Sequence, residues 1–203
     1  MTELHAVALT CSLKPTPAQS STELLAGQVL DQLSQNGVTV SAPIRVVDYD
    51  IAPGVEADMG DGDQWPEIRR ALVHADILVF ATPTWLGHMS SVAQRALERL
   101  DAELSATDDR NRPGMVGKVA VAAVVGNEDG AHKIIADVFQ GLNDIGYTIP
   151  AQGGTYWNGE SMQGVDYNDL DTTPEPTAAT TATAARNATH LAAQLADRTY
   201  PPY

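Results

Sequence analysis

The sequence predicts an α/β fold: a three-layer, doubly wound, five-stranded parallel sheet with helices on both faces. Three observations predict it. Short apolar runs alternate with longer stretches of helical period, the pattern of parallel strands joined by helical crossovers. Two of the runs, 77–81 (ILVFA) and 119–125 (VAVAAVV), are apolar throughout, as strands covered on both faces must be. The length, 203 residues, suits one domain, which at this size removes about 70% of its unfolded surface from water. Residues 1–203 are therefore read as a single domain.

The elements follow in order. Residues 4–9 form a first strand that ends in Thr10-Cys11-Ser12. Residues 21–36 set Leu24, Leu25, Val29, Leu30 and Leu33 on one helical face, and Asn36-Gly37 stops the helix. Residues 38–40 and 45–47 read as a second strand, followed by a Gly- and Asp-rich loop over 53–64. A short helix over 66–74 turns Ile68, Ala71 and Leu72 inward. The strand 77–81 leads to a helix over 90–104, with Val92, Ala96, Leu97 and Leu100 at helical spacing. A polar linker, 108–113, precedes the strand 119–125. The helix 131–145 buries Ile134, Ile135, Val138, Phe139 and Leu142. Residues 147–151 read as the last strand, broken by Gly153-Gly154. Residues 159–176 read as an irregular polar loop. An Ala- and Thr-rich stretch over 177–198 carries Ala184, Ala188, Leu191, Ala192 and Leu195 on one face and reads as a closing helix. A disordered low-complexity tail is the competing reading.

Composition excludes several function classes. The chain carries 26 acidic and 12 basic side chains, a formal net charge of -14. Nucleic-acid and anionic-membrane partners need a basic footprint, so neither is expected. No stretch approaches the roughly 20 apolar residues of a membrane span, and the first residues show no secretory pattern. With one cysteine, Cys11, no internal disulfide, multi-Cys zinc site or Cys-ligated iron–sulfur cluster can form. The expected location is cytoplasmic.

In a doubly wound sheet, ligands bind outside the carboxyl ends of the strands. Three loops lie there: 10–22, 82–90 and 126–132. The first lacks G-x-G-x-x-G and the P-loop pattern. Cys11 stands where a phosphatase would place its thiolate, but the Arg that such chemistry needs about six residues on is replaced by Pro17. No G-x-S-x-G elbow is present. The acidic turn 58–63 lacks EF-hand spacing, since Trp65 stands where an acid is required, and reads as a solvated turn.

The first loop is dense in hydroxyls and runs into a helix N-terminus. Free N–H groups, a partial positive charge and Lys14 suit a phosphate monoester without a basic patch. Ser20, Ser21 and Thr22 are equally readable as helix caps. In the second loop Pro83 stiffens the strand exit, Gly87 permits close backbone approach, and Trp85 is either an aromatic platform or a packing residue. The third loop brackets Asn127, Glu128 and Asp129 between Gly126 and Gly130. His132, one residue into the next helix, is either a surface residue or a catalytic acid.

Three segments, SLKPTPAQSST, ATPTWLGHMSS and VVGNEDGAH, with GGTYW after them, resemble the flavodoxin-like flavoproteins, and among these the NAD(P)H-dependent FMN reductases and quinone reductases. The resemblance covers residues 4–157. It implies a sheet of order 2-1-3-4-5 and non-covalent FMN. Ser12, Lys14, Ser20, Ser21 and Thr22 would hold the phosphate. Pro83, Thr84, Trp85, Leu86 and Gly87 would flank the ring, and Asn127, Glu128, Asp129 and Gly130 would close its other edge. Gly153, Gly154 and Tyr156 are weaker candidates, and the helix beginning at Ser90 is the expected source of donors to the ring.

The implied activity passes hydride from NAD(P)H through bound FMN to a quinone, flavin, azo or nitro acceptor, with no catalytic side chain and no metal. The rivals are a flavodoxin-type electron carrier without its own NAD(P)H turnover and a flavin-free module. Arg110 and Arg112 stand either for contacts to a nicotinamide 2′-phosphate or for a solvated loop. The family also implies a homo-oligomer, a dimer or tetramer.

Overall fold

The structure, a computed structural model, describes residues 3–161 and 163–203. Its sheet follows the path β2-β1-β4-β6-β7, all parallel. The strands on this path are β1 (His5–Thr10), β2 (Thr39–Val40), β4 (Ile77–Trp85), β6 (Val119–Gly126) and β7 (Gly154–Asn158). A short β3 (Ile44–Arg45) also pairs with β1, so the expected second strand is two fragments on the same neighbour. A further two-residue strand, β5 (His88–Met89), folds back antiparallel on β4. Taken as one strand, β2 and β3 give the five-strand order 2-1-3-4-5.

Helices cover both faces. Helix α1 (Ser21–Gln35) and helix α5 (Glu175–Asp197) share a core with Ala8, Val79 and Val121 on one face. Helices α2 (Trp65–His74), α3 (Ser91–Leu100) and α4 (Ala131–Asp144) share the other core with Leu9, Phe80 and Ala122. The residues of β4 and β6 alternate between the two cores, which is why both strands are apolar at every position. Helix α5 is docked, not a disordered tail. Its buried positions are Thr177, Thr181, Ala184, Ala185, Ala188 and Ala192. Such small side chains bring the helix close to the sheet, where Thr180 and Thr181 hydroxyls both meet Thr155 Oγ1 at 2.9 Å.

Several expectations need correction. The last strand is not 147–151. Tyr147 is buried, but after it only Thr148 forms an isolated parallel bridge, with Val119. The glycine pair begins the true strand instead of ending one. A Cβ at Gly154 would lie 3.1 Å from two Ile135 carbons, so glycine lets α4 lie against β7. Leu24 is exposed rather than core-facing. Helix α3 ends at Leu100, and residues 101–104 are a 3-10 turn.

The acidic turn 58–63 is not wholly solvated. Asp63 and Arg99 are both buried and paired at 2.7 Å. Arg99 also donates to the carbonyls of Ala52 and Glu56, and its guanidinium lies 5.6 Å from the centre of the Trp65 ring. The guanidinium holds the Asp63 carboxyl well below the usual carboxylate range. Among the described residues no acidic, His or Cys cluster is suited to a metal ion.

Candidate flavin site

Strands β1, β4 and β6 all end on one edge, and the three predicted loops meet there. They enclose a cleft of about 170 Å³. From the first loop it is lined by Ser12, Lys14, Ser20, Ser21 and Thr22. Pro83, Thr84 and Trp85 line it from the second, and Gly126 and Asn127 from the third. Nine of the expected residues are therefore brought to one place: five from the first loop, three from the second, and Asn127.

The remaining five do not line this cleft. Leu86 and Gly87 form the two-residue turn between β4 and β5, with φ of 51° and 73°. Leu86 N donates to Glu128 Oε1 at 2.7 Å. Gly130 sits so close to Gly87 that a Cβ on it would lie 2.8 Å from Gly87 Cα. Asp129 Oδ1 accepts from Gly130 N at 2.7 Å. Leu86, Gly87, Glu128, Asp129 and Gly130 thus lock the second loop to the third. Gly153, Gly154 and Tyr156 do not line the cleft. Tyr156 faces α4, where its hydroxyl meets His132 Nε2 at 3.0 Å.

The first loop is built on α1. Ser20 is its N-cap, with Oγ accepting from Glu23 N at 3.2 Å, so that hydroxyl serves the helix. Ser12 Oγ accepts from Lys14 N at 3.1 Å and closes a tight turn. Thr22 is buried in the first turn. Cys11 is fully buried and its burial pushes the thiol up, away from the reactive thiolate.

The helix at Ser90 does not line this cleft. Ser90 is buried, caps α3 by accepting from Ala93 N, and donates from its hydroxyl to Cys11 O at 2.7 Å. Its neighbours Ser91 and Val92 line a different cavity of about 530 Å³, with Tyr49, Asp50, Asp61 and Arg95. Arg110 and Arg112 do not line the cleft either. Arg112 pairs with Asp108 at 2.6 Å and donates to Tyr200 O at 2.7 Å. That pairing brings the Asp108 carboxyl down to about 2.

A strap within 163–174, part of the segment that could serve as a substrate lid with Trp157, supplies a wall of the cleft through Asp166, Tyr167 and Asn168. Tyr167 is buried against Trp157, with ring centres 5.4 Å apart, and its hydroxyl donates to Gln28 Oε1 at 2.7 Å. Asn168 N donates to Ser21 Oγ, and Asn127 Nδ2 to Asp166 Oδ1, both at 3.3 Å. One aromatic within a polar run, Tyr167, was the available signal for a docked strap.

One buried polar atom of the cleft has no protein partner among the described residues: Thr84 Oγ1. It lies beside Gly126, where a Cβ would come within 2.8 Å of Thr84 Cβ and 3.1 Å of Thr84 Oγ1. An unmet hydroxyl beside a glycine-formed hollow, next to a hydroxyl-rich helix N-terminus, fits a ligand that joins a phosphate to polar groups.

A parallel sheet of this order, covered by helices on both faces and with a cleft at its carboxyl edge, defines the flavodoxin-like fold. The chain belongs to the NADPH-dependent FMN reductase family, whose model matches residues 4–161. It is 36% identical over 170 residues to a divalent metal cation transporter MntH of Mycobacterium bovis, covering 82% of this chain but only 25% of that protein, so it spans about a quarter of that relative's length. It is 31% identical over 173 residues to the 8-demethyl-8-aminoriboflavin-5′-phosphate synthase of Streptomyces davaonensis, covering 81% of this chain and 67% of that one. The crystal structure of RosB with a bound 8-demethyl-8-formylriboflavin-5′-phosphate intermediate superposes with a TM-score of 0.87. The two share 30% identity over 97% of this chain and 82% of that one. Among the described residues no helix is long and apolar enough to cross a membrane.

Proposed function

We propose that the cleft holds FMN and that the protein moves electrons from NAD(P)H to a small acceptor: a quinone, a free flavin, or an azo or nitro compound. The single observation that carries this reading is the cleft itself. It joins a hydroxyl-dense helix N-terminus to an unpartnered Thr84 hydroxyl beside Gly126. Ser12, Lys14, Ser21 and Thr22 with the first N–H groups of α1 would hold the phosphate. Pro83, Thr84, Trp85 and Asn127 would border the ring. Leu86, Gly87, Glu128, Asp129 and Gly130 would hold those two loops together. Ser20 would contribute its backbone, its hydroxyl being the cap.

Bound FMN would supply the hydride chemistry that side chains lack. The chain's own task is to bind and orient. The α1 N-terminus offers fixed N–H donors to a phosphate against the overall acidity. The lock between Leu86 and Glu128 keeps the loops from reorganising when a second molecule arrives. A cavity of about 170 Å³ is smaller than the roughly 300–1,000 Å³ of pockets that enclose a drug-sized ligand. The cleft therefore suits the phosphate and its polar chain, with the flat ring toward the open rim near the half-exposed Trp85. That rim would be open to nicotinamide and acceptor in turn.

The likeness to RosB favours a second reading, in which the flavin phosphate is the substrate and leaves altered. The exposed apolar tip at Leu86, 88% accessible, supports a homo-oligomer that covers it. The unpaired, buried Cys11 supports a reducing, cytoplasmic setting. The test is steady-state NADH and NADPH oxidation by FMN-loaded protein against a panel of quinone, azo and nitro acceptors, with and without added FMN. The expected result is acceptor-dependent oxidation with FMN recovered unchanged. FMN recovered in a modified form would establish the second reading, and no oxidation with any acceptor would refute the first.

A further inference from the structure

We infer that Arg45 is a positioning residue for the phosphate end of the FMN site, presetting the first loop without touching the ligand. The inference rests on the reading that this loop holds the phosphate. Residues 13–19 are seven consecutive exposed positions with no strand or helix among them. A run like that has little packing of its own to fix it. What fixes it lies beneath. Arg45 closes β3, opposite Thr10 in the register with β1, so its backbone belongs to the sheet. Its side chain is 6% accessible. From there Nη1 donates to Ala18 O at 2.7 Å and to Lys14 O at 3.3 Å, near the two ends of the loop. Nη2 pairs with the Glu23 carboxylate in the first turn of α1. From the other side, Asp48 accepts from Thr16 N at 2.9 Å and Thr16 Oγ1 at 2.6 Å.

The arrangement acts twice on a phosphate. It sets the spacing between Ser12 and the α1 N-terminus before the ligand binds, which removes an ordering cost from binding. It also neutralises Glu23, a carboxylate in the very turn whose N–H groups would face the anion. Arg45 does not itself line the cleft, so its effect passes through the loop and must be specific to the phosphate. A planar guanidinium spans two carbonyls and a carboxylate, whereas an ammonium can meet only part of that set.

The test titrates the apo forms of wild type, Arg45→Met, Arg45→Lys and Glu23→Gln with FMN and with riboflavin, following flavin fluorescence quenching. Wild type is expected to prefer FMN. Arg45→Met is expected to weaken FMN by about 30-fold, the order of a lost hydrogen bond to a charged group, and riboflavin by less than about 3-fold. Arg45→Lys is expected to fall between, and Glu23→Gln to bind FMN at least as tightly as wild type. Equal weakening of both flavins in Arg45→Met, or FMN affinity unchanged, overturns the inference. If Arg45→Met does not fold, Arg45→Lys with Glu23→Gln decides: an FMN-selective loss in the first alone supports it, and any other pattern overturns it. Wild type binding riboflavin as tightly as FMN would instead refute the phosphate reading.

Discussion

Replacing Gly130 by alanine tests whether the second and third loops act as one unit. Two costs can be worked from the geometry. Gly130 has φ of 137°, a conformation that L side chains rarely adopt and that costs on the order of 1–3 kcal/mol. The new Cβ would also stand 2.8 Å from Gly87 Cα and 3.0 Å from Gly87 O. Both are backbone atoms, so the turn at Leu86-Gly87 must move and the Leu86–Glu128 hydrogen bond goes with it, at about 1 kcal/mol for an exposed bond. The sum is about 2–4 kcal/mol of apo stability by urea denaturation. If the loops must stay together to border the ring, FMN affinity falls at least about tenfold. Gly117→Ala is the control: φ there is 95°, but nothing lies within 4 Å of the added carbon. It should show the conformational cost alone, on the order of 1–3 kcal/mol, with FMN affinity intact. A Gly130→Ala variant no less stable than Gly117→Ala, with wild-type FMN binding, would refute the reasoning.

Other substitutions probe other links. Ser21→Asp places a carboxylate where the phosphate is proposed to lie and should weaken FMN at least about tenfold in the same titration, since like charge opposes the anion. Trp85→Ala removes a half-exposed ring, 54% accessible, so it should shift acceptor preference in kcat/KM while costing less than about 1 kcal/mol in stability. Arg99→Leu leaves Asp63 buried and unpaired and should cost about 3–5 kcal/mol by denaturation. The Asp63 carboxyl is held low by the Arg99 guanidinium. Its contribution is therefore present above the unfolded value of about 4 and lost as pH falls through the folded value. Asp63→Asn should accordingly flatten the loss of stability below about pH 4, measured by denaturant midpoints.

Much of the fold was legible because burial on both faces leaves an unbroken apolar run, as in 77–81 and 119–125. The sheet order was carried by the family resemblance. Strand five was misplaced because Tyr147 and Ile149 carry an apolar signal yet pack as a connector. Gly154 reads as a breaker until Ile135 is seen pressing on it. The hairpin at Leu86-Gly87 escaped because leucine is an unusual residue at positive φ. The cleft's loops were legible from hydroxyl density and glycine placement. Arg45, Asp63 and Arg99 were not: nothing local marks a charged residue as buried, and their ion-pair partners lie 22 and 36 positions away. The strap was hidden in a polar run because its attachment comes from scattered hydrogen bonds to Gln28, Ser21 and Asn127 and from one buried ring, Tyr167, which leave no periodicity.

A crystal structure of the FMN complex tests the central claim most directly. The account predicts the phosphate within hydrogen-bond distance of the α1 N-terminus and the first loop, Thr84 Oγ1 bonded to the ligand, and the ring bordered by Trp85 and Asn127. A flavin seated instead in the cavity beside Tyr49 and Arg95, with the first loop empty, would contradict it.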